Sequence, residues 1–80
     1  MRTIEVLGSG CANCHRLADN ARQAATLAGV DAEVVHVTDM REIAGRGVMS
    51  TPGLVIDGKV VSVGRVPSAG DIAKWLGAEG

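Results

Sequence analysis

Near residue 8 the hydrophobic pattern changes period, and two cysteines stand just past the change. Thr3-Ile4-Glu5-Val6-Leu7 reads as an extended apolar run. From Cys14 onward Leu17, Ala18, Ala21, Ala25 and Ala28 recur every three or four residues, the spacing of an amphipathic helix. Gly8-Ser9-Gly10 supplies the turn between the two, so Cys11 of Cys11-Ala12-Asn13-Cys14 falls at a helix N-terminus. Unpaired N–H groups and the positive end of the helix dipole favour a thiolate there. Cys14 lies one turn on along the same face, within reach of a disulfide with Cys11. A thiolate is the nucleophile that opens disulfides, so the pair provides for both attack and resolution.

Length and composition narrow what such a pair does. Eighty residues make one small domain, expected to span 1–80. A loop closed between positions 11 and 14 is too short to staple a fold effectively, which disfavours a structural disulfide. Apolar residues make up 46% of the chain, with no Phe or Tyr and one Trp, so the core is aliphatic. A net charge of −1 without a basic run lacks the footprint of a nucleic-acid or membrane-surface binder. No apolar stretch approaches the ~18 residues of a membrane span. Met1-Arg2-Thr3-Ile4-Glu5 lacks the apolar core of a signal peptide, which makes the cytoplasm the expected compartment. Thiols are kept reduced there, which favours a catalytic or metal-binding pair.

The remaining segments predict the order β-α-β-α-β-β-α. Gly29 ends the first helix, and Ala32 to Val37 reads as a buried strand, reached by a right-handed crossover and parallel to the first. Asp39-Met40-Arg41-Glu42 resembles a capping box for a short helix that stops at Gly45 or Gly47. Gly53 to Ile56 and Lys59 to Val63 flank Asp57-Gly58, a strong signal for an antiparallel hairpin. Ser68-Ala69-Gly70-Asp71 opens a last helix whose inward face is expected to be Ile72, Ala73, Trp75 and Leu76, with Gly77 as its stop.

Thr51-Pro52 stands immediately before a strand. Alone it reads as a strand start, where proline is tolerated. Beside a CxxC on a β-α-β unit a cis bond is expected, turning the Thr51 backbone outward to pair with an extended substrate.

This order is similar to the thioredoxin fold across nearly the whole chain. More closely, Gly8-Ser9-Gly10-Cys11-Ala12-Asn13-Cys14, Pro52-Gly53-Leu54-Val55-Ile56-Asp57-Gly58 and Gly64-Arg65-Val66-Pro67-Ser68 resemble the small glutaredoxin-like, redox-active disulfide proteins of bacteria and archaea. The resemblance implies an α/β thioredoxin-like fold with a four-stranded mixed sheet flanked by helices. It also implies Cys11 as attacking thiol, Cys14 as resolving thiol and Pro52 as a cis-proline facing them. Thioredoxins carry Trp before the first cysteine and Gly-Pro between the pair, where this chain has Gly10 and Ala12-Asn13. The second glycine of the glutathione-binding Gly-Gly is replaced in Gly64-Arg65, so glutathione is not the expected substrate. Glu5 sits at the offset of the buried acid of thioredoxins, but reads as an ordinary solvated strand carboxylate.

The alternative is a copper(I) or zinc chaperone using the same thiolates. Copper-chaperone domains end in a strand and carry Met two residues before the first Cys, where this chain ends in a helix and has Ser9. A zinc site needs two more ligands; His15 reads as an exposed helix residue and His36 as a half-buried strand residue, with neither at ligand spacing. No metal and no organic cofactor is therefore expected. A third reading, a pure binding module with incidental thiols, has only small size in its favour; Met49 with Ala12, Asn13, Val66 and Pro67 is instead expected to form an apolar rim around the thiol that accepts a protein substrate. The expected function is thiol-disulfide exchange on protein disulfides through Cys11 and Cys14, with Thr51, Pro52, Ala12 and Asn13 binding substrate. A monomer is expected, with disulfide-containing proteins and a thioredoxin-reductase-like or small-thiol reductant as partners.

Overall fold

The computed structural model describes residues 1–77. Its elements run β1 (Arg2–Leu7), α1 (Ala12–Ala28), β2 (Ala32–Val37), α2 (Met40–Gly45), β3 (Gly53–Ile56), β4 (Lys59–Val63) and α3 (Ala69–Trp75), the expected order. They form one mixed sheet ordered β2-β1-β3-β4. β1 is central, parallel to β2 from Arg2↔Ala32 to Leu7↔Val37 and antiparallel to β3 from Ile4↔Ile56 to Leu7↔Gly53.

Side chains of β1 alternate between the two sheet faces, as pleating requires. Ile4 and Val6 join Leu17, Ala18, Ala21, Leu54, Ile72 and Leu76 in one buried cluster, covered by α1 and α3. Leu7 joins Val37, Ile43, Val48 and Val55 in the second, covered by the single turn-and-a-half of α2. The alanines of α1 favour the helix and present little bulk at its inward face. With no Phe or Tyr, each buried Leu, Ile or Val carries about 1.5–3 kcal/mol of the hydrophobic stabilisation.

Local signals set the element ends. Gly29 takes φ 66°, and the Val30 N–H reaches back to the Ala25 carbonyl at 3.0 Å, a left-handed stop suited to glycine. Asp57 and Gly58 both hold positive φ, 50° and 84°, the requirement of the tight hairpin turn. The Ser68 hydroxyl accepts from the Asp71 N–H at 3.1 Å. At α2 the Asp39 carboxylate accepts from Arg41 N–H at 2.8 Å, so the cap acts one residue earlier than a capping box would.

Two side-chain expectations need correction. Trp75 is not on the inward face: it is 42% exposed, while Ile72, Ala73 and Leu76 are buried. β4 is an edge strand, so among the described residues no further element covers the flank of α3 where Trp75 stands. His36 is exposed rather than half-buried, because it occupies the other edge strand, β2.

Candidate active site

β1 delivers the chain to the site. The Gly8 N–H still donates to the Val37 carbonyl at 3.0 Å, extending the β1-β2 pairing by one residue. Gly10 then turns at φ 89°, and Cys11 is the N-cap of α1, with φ −70° and ψ 172°. Its carbonyl accepts the first helical bond, from the His15 N–H, at 3.1 Å.

The two thiols have opposite environments. Cys11 is exposed, whereas Cys14 is 1% exposed inside the cluster beneath α1. Their Sγ atoms lie 2.9 Å apart, both thiols free. The Cys11 sulfur makes no bond of capping geometry. The Cys14 thiol, followed by the backbone N–H groups of Cys14 and Asn13, nevertheless holds the Cys11 thiol below its ordinary value. Burial, then the donated hydrogen bond to Cys11, pushes the Cys14 thiol up. At neutral pH Cys11 is the better thiolate and Cys14 the proton donor that stabilises it.

Position 51 closes on the pair from the β3 side. A Cβ placed on Gly8 would overlap the Cys14 sulfur and stand 3.7 Å from the Thr51 Cβ, so Gly8, Cys14 and Thr51 adjoin one another. The Thr51-Pro52 peptide is cis. Pro52 is buried, and its carbonyl accepts from the Gly64 N–H at 2.8 Å. Thr51 is exposed, and among the described residues its backbone N–H and carbonyl take no backbone partner. Ala12 and Asn13 are exposed in the first turn of α1. Of the further rim residues, Met49 projects at 91% exposure, whereas Val66 packs against the core and the Pro67 carbonyl is held by Asn20 at 3.0 Å.

Glu5 is neither a thiol partner nor an ordinary solvated carboxylate. It faces α2, on the sheet face opposite Cys14, and takes a bidentate ion pair from Arg46 at 2.9 and 2.7 Å. The Arg46 hydrogen bonds hold its carboxyl below the usual range. The sequence carries no signal for this partner, since only the place of Arg46 at the C-cap of α2 brings it to β1. A groove of about 670 Å³ between β4 and α3, lined by Val61, Ser62, Arg65, Asp71 and Trp75 among others, includes neither cysteine. Among the described residues, no three His, Cys, Asp or Glu side chains gather to hold a metal, and no helix is long and apolar enough to cross a membrane.

Similarity to known proteins covers nearly the whole chain. A family model described as thioredoxin domain matches residues 2–77. A thioredoxin of Methanothermobacter thermautotrophicus is 42% identical over 76 residues, covering 95% of this chain and 99% of its own. A thioredoxin of Methanocaldococcus jannaschii is 40% identical over 76 residues, covering 95% and 87%. A solved Nu-class GST from Haemonchus contortus aligns with 99% of this chain and 36% of its own at 25% identity, with a TM-score of 0.46.

Proposed function

The chain belongs to the thioredoxin domain family and is a thiol-disulfide oxidoreductase, and from that premise we propose that Cys11 attacks and Cys14 resolves disulfides of protein substrates. The carrying observation is the asymmetry of the pair: an exposed sulfur with a lowered pKa, 2.9 Å from a buried one with a raised pKa. The Cys11 thiolate attacks one sulfur of a substrate disulfide, forming a mixed disulfide and releasing the other substrate sulfur as a thiolate that takes up a proton. Cys14 then loses its proton and attacks the Cys11 sulfur, which expels the second substrate thiolate. The substrate gains two electrons and two protons, and the protein is left as the Cys11-Cys14 disulfide.

The exposed first turn and the free Thr51 backbone support docking of an extended segment. Thr51, next to the Gly8–Cys14 contact, offers an N–H and a carbonyl, Pro52 is buried behind it, and the exposed Ala12 and Asn13 follow the attacking thiol in the first turn of α1. Backbone pairing of this kind reads chain shape more than side-chain identity, which suits protein disulfides in general. The domain acts as a monomer spanning residues 1–80 in the cytoplasm. It needs no organic cofactor, and a thioredoxin-reductase-like protein or a small thiol returns it to the dithiol.

Reduction of a protein disulfide by the reduced chain, followed as release of the separated polypeptides, tests this reading. Wild-type protein should reduce about one disulfide per molecule in the absence of other reductant, and Cys11→Ser should fall to the buffer background. Wild-type reduction no faster than Cys11→Ser would overturn it.

A further inference from the structure

The chain has two histidines, and the fold places them together. His15 lies in the first turn of α1 and His36 near the end of β2, with ring centroids 5.9 Å apart and planes tilted by 49°. Both side chains are exposed. Their separation of 21 positions hid this from spacing rules, which register ligand pairs within one helix or loop. The parallel crossover from α1 to β2 brings the rings to the same side of the sheet.

We propose that His15 and His36 form a two-imidazole site for one borderline divalent transition-metal ion, with zinc(II), nickel(II) and copper(II) as the class and the remaining coordination positions left to water. Neutral imidazole nitrogen suits these ions. The geometry is close to what they require. With Zn–N bonds of about 2.0–2.1 Å, two imidazoles on a tetrahedral ion have centroids roughly 5 Å apart. The observed 5.9 Å is therefore within about an ångström of the chelating arrangement, a gap that side-chain rotation of exposed rings covers on the ps–ns timescale. Because the rings are anchored on a helix and a strand, the second ligand is already in place when the first binds, and chelation gains from the high effective concentration. The site is independent of the dithiol: it uses neither sulfur and should bind equally well in the disulfide form.

Zinc titration of the oxidised wild-type protein, followed by NMR of the imidazole protons, tests the proposal with both thiols out of play. The two ring signals should shift together and saturate at about one equivalent, and His15→Ala or His36→Ala should each weaken binding by at least about tenfold. The rest of the spectrum reports whether each variant is folded, and His36→Gln provides a second polar replacement on the strand. A shift confined to one ring, no shift at severalfold excess of zinc, or binding that survives both substitutions unchanged would overturn the site. The disulfide-reduction assay stands apart from every one of these outcomes.

Discussion

Gly8 lies directly against the Cys14 sulfur, so closely that a methyl group at position 8 would overlap it. Glycine is required here for space rather than for turning: its backbone continues the sheet, and the turn itself is made at Gly10 with φ 89°. The consequence reaches the chemistry, because the buried sulfur is the one that must close the remaining gap to the Cys11 sulfur, 2.9 Å away.

Gly8→Ala should therefore destabilise the reduced protein by about 1–3 kcal/mol, as overpacking does, and slow closure of the Cys11-Cys14 disulfide. Urea denaturation and the rate of disulfide formation check both effects. A fully stable variant with normal closure would mean that the Cys14 side chain moves aside freely.

Alkylation should find Cys11 first. Mapped by mass spectrometry across a pH series, modification of Cys11 should begin at lower pH than that of Cys14, because the Cys14 thiol supports the Cys11 thiolate while burial opposes a Cys14 thiolate. Cys14→Ala removes the largest of those supports and should move the Cys11 profile to higher pH. Cys14→Ser keeps a donor and should move it less. An unchanged profile in Cys14→Ala would assign the lowered pKa to the helix N–H groups alone.

The Glu5-Arg46 pair should make stability depend on pH in the acid range. Glu5 titrates at about 4.3 in an unfolded chain and lower in the folded one, where Arg46 hydrogen-bonds its carboxylate. The unfolded state then binds more protons, so the contribution is fully present above about pH 4.3 and is lost as pH falls through the folded value. Glu5→Gln should cost about 1 kcal/mol at neutral pH, for a half-buried bidentate pair, and progressively less below about pH 4. Equal denaturation midpoints of variant and wild type at neutral pH would show the pair to be inert.

The hairpin turn offers a backbone test. Gly58 holds φ 84°, a region that costs a residue with a Cβ roughly 1–2 kcal/mol. Gly58→Ala should lower stability by about that amount without altering the thiols, which lie at the other end of β3. A thermal melt together with Cys11 alkylation separates the two.

What was legible in the sequence was mostly local. Asp57-Gly58, Gly29 and Ser68 act through their own backbone and nearest neighbours, so the hairpin turn, the end of α1 and the start of α3 follow from residue type. Cys11 and Cys14 belong to the same class, since a strand, a glycine turn and a helix are enough to place them. Trp75, His36, Gly8 and Arg46 depend on what lies across the fold. Helical periodicity marks the arc of α3 but not that β4 lies at the edge of the sheet, where among the described residues Trp75 is left exposed. Nothing near Glu5 in the chain announces a guanidinium 41 positions away, and although Cys14 is only six positions from Gly8, the pattern shows a turn there and not that the sulfur packs against the Gly8 backbone.

The central claim, that Cys11 attacks and Cys14 resolves, is tested most directly by trapping. Each single cysteine-to-serine variant is incubated with a protein disulfide and analysed without added reductant. Cys14→Ser should accumulate a mixed disulfide through Cys11, because the intermediate has lost the thiol that releases it, and Cys11→Ser should accumulate little. Equal trapping by both variants, or trapping by Cys11→Ser alone, would contradict the assignment.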